Sequence, residues 1–258
     1  MSAPDGPFRG PLGLIGGFAA ATAFFTRIPI EVPARAAWQI AEAAWAFPLV
    51  GAGIGAVAAF AFFLAQLVGL GSWPTALTAL FAGLALTGAL HEDGLADTAD
   101  GFLGGRDRET KLAIMRDSRH GTFGVLALVA SVSLRAAALA GIGDMIHAGL
   151  ALIAAHAASR AALPATMRML SSARSDGLGA TAGKPRARAV IAAASTGIAI
   201  ALTALGPIRG VIALGLAGAM VFAMAALARR QIGGYTGDVL GALQQIGEIV
   251  ILLAASAR

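Results

Sequence analysis

Seven stretches of this chain are too long and too apolar to form the interior of a soluble domain. They run roughly over 45–70, 74–91, 122–142, 145–167, 189–206, 208–228 and 238–256. A helix needs about 20 mostly apolar residues to cross a bilayer, and these runs supply them. The composition agrees. Only 13% of the 258 residues are charged, against about 25% in an ordinary soluble domain. The 34 glycines, many of them inside the apolar runs, suit helices that pack closely in lipid. The fold class expected is all-α: a polytopic membrane bundle of about seven transmembrane helices, forming one domain over 1–258. Pro48 and nearby glycines make the first span start late or kink. Ahead of it, Leu12 to Phe25 is apolar but short, and Arg27, Pro29 and Pro33 follow. That segment is expected to lie at the interface or to pack on the bundle. The absence of cysteine excludes a disulfide scaffold and any thiolate metal site. The opening "MSAPDGPFRGPLG" lacks the pattern of a cleaved signal peptide.

The formal charge is +5 and the pI about 10.9. Such a pI suggests nucleic acid as a partner, but here the basic residues are scattered through short connections between apolar runs. With the N terminus inside, fifteen of the 19 Lys and Arg fall on one side. Positive-inside topology accounts for that bias, and it puts the long polar connections in the cytoplasm. No nucleic-acid partner is expected; membrane lipid is. Two connections stand out, 92–121 and about 168–188. The second is rich in Gly and Ser, and is expected to be mobile or ordered by ligand.

The first connection opens on "HEDGLADTADG", His91 to Gly101, with four acids in nine residues. If the preceding helix continues through it, Asp93, Asp97 and Asp100 fall on one face at i, i+4 and i+7. Three carboxylates in one stripe repel unless a cation sits among them. Oxygen ligands suit Mg²⁺, Mn²⁺ or Ca²⁺, and Mg²⁺ often shares its shell with substrate phosphates. Neighbouring glycines would let a bulky ligand approach the backbone. Glu92 points about 100° off the stripe, either supporting the ligands or solvated. His91 lies near the opposite side and reads as structural.

Downstream, Asp107 to Arg116 has the pattern of a short amphipathic helix. Arg106, Arg108, Lys111, Arg116 and Arg119 bring five positive charges close behind the acids. Cations beside a metal describe a diphosphate site, with Lys111, Arg116 and Arg119 as phosphate contacts. Asp117 sits between Arg116 and Arg119, and could pair with either, complete the metal site or act as a base. A second signal is "GGYTGDVLGA", 233–242. There Asp238 is either part of a helix cap or a carboxylate facing the same site. Glu248 and Arg135 lie within spans, where an ionisable group is a functional candidate, and each is a possible partner for the other.

"FFTRIP" at 24–29, "FPLVGAGIG" at 47–55, "HEDGLADTADGFLGGRDRETKLAIMRDSRHGTFG" at 91–124 and "GYTGDVLGA" at 234–242 together resemble the cobalamin synthase family, the adenosylcobinamide-GDP ribazoletransferases. The resemblance implies a Mg²⁺-dependent enzyme of the bacterial inner membrane with its site facing the cytoplasm. It would join adenosylcobinamide-GDP to α-ribazole or α-ribazole 5′-phosphate, giving adenosylcobalamin or its 5′-phosphate and GMP. A homo-oligomer, or contact with other cobalamin-assembly enzymes, is compatible with it. "DTADG" at 97–101 is also similar to the start of the motif of CDP-alcohol phosphotransferases, but the rest of that motif is missing. The expected assignment is Glu92, Asp93, Asp97 and Asp100 for metal, Lys111, Arg116 and Arg119 for substrate, and Asp117 and Asp238 for catalysis. A lipid phosphotransferase is the alternative. A transporter fits less well, because the acids cluster at one face and no paired halves are visible.

Overall fold

The computed structural model describes residues 13–31 and 40–257. Their regular elements are all helices, with no strand among them. Helix α1 (Gly13–Phe25) is followed by a 3₁₀ turn (Ile40–Ala46) that runs directly into α2 (Phe47–Leu67). Pro48 stands in the first turn of α2, where its missing N–H costs nothing. Then come α3 (Ser72–Thr87), α4 (Leu90–Gly104), α5 (Arg108–Ile114), α6 (Thr122–Ile142), α7 (Met145–Ala161) and α8 (Leu163–Met169). An irregular segment over 170–186 contains one helical turn (Leu178–Thr181). The chain ends with α9 (Ala187–Leu205), α10 (Pro207–Ile232) and α11 (Gly237–Ser256).

Six helices among the described residues are long and apolar enough to cross a membrane, and α3 with α4 makes a seventh if that bent pair is one span. This is the bundle the apolar runs predict. The N-terminal helix packs on it: Gly17 lies against the Trp45 indole, and the Phe25 ring meets Phe47 edge-on at 4.8 Å.

Small residues set the closest approaches. Gly51 and Gly55 of α2 face α7 so tightly that a Cβ would come within 2.3 Å of the His156 carbonyl and 2.7 Å of Leu152. Without a hydrophobic drive between helices in lipid, such backbone proximity is what packing has to work with. Where α4 crosses α11, a Cβ on Gly94 would lie 2.7 Å from the Asp238 carbonyl oxygen, and one on Gly241 would lie 3.1 Å from that of His91. That crossing positions the site.

The acid-bearing helix does not continue the preceding span. The chain breaks at Gly88 (φ 64°) and Ala89 (φ 57°), both left-handed, and α4 leaves at 91° to α3. Alanine resists this conformation. Gly88 is packed against Arg27, whose guanidinium a Cβ would strike, and the Arg27 backbone N–H donates to the Leu86 carbonyl at 2.8 Å. The stretch from 92 is therefore not a loop but a new helix up to Gly104 and, after a short break, α5.

Inside the bundle α4 is held by a buried polar network. The Arg135 guanidinium on α6 donates to Glu92 at 3.0 Å and to Glu248 on α11 at 2.9 Å. Gln245 donates to Glu92 at 2.9 Å and accepts from Ser131 at 2.8 Å. Gln244 donates to the second Glu248 oxygen at 2.6 Å, and His156 faces it at 3.1 Å. The anticipated Arg135–Glu248 pair is present, and Glu92 joins it.

Candidate active site

A cavity of about 220 Å³ opens at the end of the bundle where α4, α8, α11 and the 170–186 segment meet. One part of its wall is apolar and aromatic, with Phe24, Phe25, Phe47 and Leu163. The other carries Asp93, Arg174, Asp176 and Asp238.

The α4–α11 crossing sets the acids. Asp93 is exposed on the cavity wall one turn before Asp97. Asp238 enters from α11, behind Thr236, which caps that helix by accepting from the Val239 N–H at 3.2 Å. Thr236 also donates to the Asp238 carboxylate at 3.1 Å. Both readings of Asp238 hold: it belongs to a capped first turn, and it faces the cavity. Asp93 and Asp238 both act electrostatically on Asp97. The nearest opposing charges are Arg174, 3.4 Å from Asp238, and His120, 3.8 Å from Asp97 if protonated.

Asp100 lies on the same stripe but is already engaged. Its oxygens accept from the Gly121 N–H at 2.6 Å and the Gly124 N–H at 2.8 Å, capping α6 from outside that helix. The absence of side chains at Gly121 and Gly124 makes this possible, since a Cβ at either would collide with the carboxylate. Glu92 is not on the stripe; its partners in the buried network take it away from any metal there. Among the described residues no three His, Asp or Glu side chains converge closely enough to cage a metal by themselves. Mg²⁺ is commonly held by one or two carboxylates, with water and phosphate completing the shell. Asp93, Asp97 and Asp238, crowded with little compensating charge, fit that demand.

The cations are distributed differently from the expectation. Lys111 is buried and donates to the Gln231 amide oxygen on α10; it does not line the cavity. Arg108 donates to the carbonyls of Ile232 at 2.9 Å and Ala173 at 2.6 Å. Arg116 is paired with Asp176 at 2.7 Å, which ties the region after α5 to the 170–186 segment. Arg119 clasps Asp117, 2.7 Å away and next but one in sequence. That clasp holds the Asp117 carboxyl down at about 2, so it stays ionised and is a poor proton acceptor near neutrality. Asp117→Asn is therefore expected to leave turnover within about threefold of wild type, read from product formation under saturating substrate. A loss of about 100-fold or more would return Asp117 to the reaction.

Among the described residues, the Lys or Arg that lines the cavity is Arg174, from the Gly/Ser-rich segment. It donates to the Leu112 carbonyl at 3.1 Å, and its buried Nε has no partner. The segment is pinned by a bridge between Ser172 and Tyr235 and by the Tyr235 hydroxyl, which donates to the Gly179 carbonyl at 3.2 Å. Nothing in the sequence singles out Arg174 among the basic residues of that stretch, except the placement of the stretch beside "GYTGD".

A cavity carrying crowded carboxylates and a partly buried guanidinium at a membrane-helix end is suited to a substrate with phosphate groups. The family model described as cobalamin-5-phosphate synthase matches residues 17–256. A protein from Bradyrhizobium diazoefficiens named adenosylcobinamide-GDP ribazoletransferase is 50% identical over 241 residues, covering 92% of each chain. Proteins of the same name from Mesorhizobium japonicum and Azorhizobium caulinodans are each 46% identical over 246 residues. They cover 95% of both chains in the first case, and 91% of this chain and 92% of the relative in the second. No solved structure matches. With a family match over nearly its whole length and several relatives above 40% identity, the chain belongs to the cobalamin-5-phosphate synthase family of enzymes.

Proposed function

We propose that this enzyme joins adenosylcobinamide-GDP to α-ribazole or its 5′-phosphate, releasing GMP, by phosphoryl transfer in the cavity at the α4–α11 crossing. The names of its relatives supply the substrates. The observation that carries the mechanism is the convergence of Asp93 and Asp238 on one cavity wall with Arg174 beside them.

A ribose hydroxyl of the acceptor attacks the phosphorus bonded to the cobinamide side. A new O–P bond forms and the P–O bond of the anhydride breaks. GMP departs with the bridging oxygen. Asp238 or Asp93 is placed to take the hydroxyl proton. Arg174 neutralises phosphate oxygens, leaving its contact with Asp238 to do so. Mg²⁺ would be held by one or two of the crowded carboxylates of Asp93, Asp97 and Asp238 together with substrate phosphate, and would supply charge neutralisation on the diphosphate and its leaving group. Arg116, Lys111 and Arg119 act outside this chemistry: Arg116 braces Asp176 of the cavity wall, Lys111 holds α5 to α10, and Arg119 occupies Asp117.

The test is to reconstitute the full chain in vesicles with adenosylcobinamide-GDP, α-ribazole and Mg²⁺. GMP and the corrinoid product should appear in equal amounts and stop with EDTA. GMP without corrinoid ligation, or turnover that persists in EDTA, would contradict the scheme.

We also propose that the site faces the cytoplasm of the inner membrane. The support is the concentration of Lys and Arg at that end of the bundle. Because the chain has no cysteine, single cysteines report sidedness directly. In intact cells an impermeant thiol reagent is expected to label Arg209→Cys, in the first turn of α10, and to spare Ser175→Cys. The reverse pattern would invert the topology.

A further inference from the structure

The cavity is small for what the proposed reaction brings to it. Its volume is about 220 Å³, below the roughly 300–1,000 Å³ of a pocket that encloses a drug-sized ligand. The donor alone carries a corrin macrocycle and a guanosine diphosphate. The helical walls are fixed: where α4 crosses α11 there is no room for a methyl group on Gly94. The wall over 174–181 is built differently. It is a strap between two anchors. On one side the Ala173 N–H donates to the Tyr235 carbonyl at 2.8 Å, and Arg108 donates to the Ala173 carbonyl at 2.6 Å. On the other, the Ala182 carbonyl accepts from the Ala41 N–H at 2.9 Å, and Arg168 donates to the Pro185 carbonyl at 3.0 Å. Between the anchors Arg174, Asp176, Gly177 and Gly179 line the cavity, while Ser175, Asp176 and Gly177 are also exposed to solvent. Gly177 and Gly183 have φ of 80° and 79°, a backbone state that glycine enters and leaves at little cost. Asp176 fastens the strap to the stretch after α5: its two oxygens accept from Arg116 Nη2 at 2.7 and 3.0 Å. The side-chain exposure is 65% for Asp176 and 53% for Arg116. Exposed pairs of this kind hold weakly, which suits a fastening that opens on every turnover.

We infer that 174–181 is a strap that opens to admit the donor and closes over its diphosphate, and that Asp176 is a positioning residue: its pair with Arg116 latches the strap and so sets Arg174 in the site. This rests on the ribazoletransferase reading. The closed strap carries Arg174 to 3.4 Å from Asp238, with its buried Nε unpartnered. Phosphate oxygens of the substrate supply that partner. Closure therefore completes the phosphate site when substrate is inside.

The test uses the full chain in vesicles; it has no cysteine of its own. Nitroxides on Ser175→Cys, in the strap, and Thr110→Cys, on α5, report the gap by pulsed electron spin resonance without any turnover. The latched protein is expected to give one short distance. Asp176→Asn should add a longer one, and the exchange of Arg116→Asp with Asp176→Arg should bring the single distance back. Kinetics are followed as GMP release at saturating adenosylcobinamide-GDP, α-ribazole and Mg²⁺. Asp176→Asn should lower kcat about fivefold, and the exchanged pair should recover it. In an Arg174→Ala background Asp176→Asn should have no further effect, because no guanidinium is left to place. Bridging Arg116→Cys to Asp176→Cys with a reducible bis-thiosulfonate should stop GMP release, and reductant should restore it. Distances that do not respond to Asp176→Asn, or a bridged enzyme as fast as its reduced form, would overturn the strap. An Asp176→Asn effect that persists in full without Arg174 would overturn the positioning role. No GMP release from wild type sinks the transferase reading, and the distances then still decide whether the strap opens.

Discussion

Asp93→Asn is expected to lower GMP release by about 10²–10⁴-fold while the protein still folds and inserts. Asp97→Asn should fall in the same range. The change is isosteric and removes a charge from a crowded set, so the fold has no reason to suffer. If anything, repulsion with Asp238 is relieved. The pair separates two accounts of the acids. As a solvated helix end, neither would matter to turnover. As metal-holding groups at the α4–α11 crossing, both matter, and Glu92→Gln behaves differently because Glu92 faces Arg135. Near-wild-type turnover of Asp93→Asn in product assays would remove the carboxylates from the reaction.

Arg135→Met is expected to be the most damaging single change to the fold, costing about 3–5 kcal/mol. Arg135 is 3% exposed, and it is the shared donor to Glu92 and Glu248. Removing it leaves two carboxylates in a low-dielectric interior with Arg160 as the one nearby cation among the described residues, beside amides, Ser131 and His156. The expected readout is a collapse in the yield of monodisperse protein and a fall in the thermal midpoint. Combining Arg135→Met with Glu92→Gln and Glu248→Gln should restore much of the stability, because the uncompensated charges are gone. A triple variant no better folded than Arg135→Met would show that shape rather than charge is at issue.

Much of the bundle was legible in the sequence because lipid imposes one strong rule, about 20 apolar residues per span. The i, i+4, i+7 spacing likewise placed Asp93, Asp97 and Asp100 on one helix face. The bend at Gly88–Ala89 was not legible. An alanine in left-handed geometry carries no sequence mark, and its cause is the packing of Arg27 on Gly88. Asp100 looked equivalent to Asp97; only the approach of Gly121 and Gly124, more than 20 residues away, assigns it to capping α6. The basic residues misled for a related reason. Their density behind the acids suggested phosphate contacts. In the structure Arg108, Lys111 and Arg116 hold α5 and the stretch after it to α10 and the 170–186 segment, and the guanidinium at the cavity comes from that segment. His91 read as structural from its helical phase; its buried stack on Phe25 depends on α1, which is distant in sequence.

The most direct test of the central claim is a Mg²⁺ titration of GMP release by the full chain in vesicles, wild type beside Asp93→Asn, with adenosylcobinamide-GDP and α-ribazole saturating. The account predicts metal-dependent release by wild type. In the variant, half-maximal activation should move to higher Mg²⁺ and the maximal rate should fall. Release that does not depend on Mg²⁺, or a variant whose titration overlays that of wild type, would contradict it.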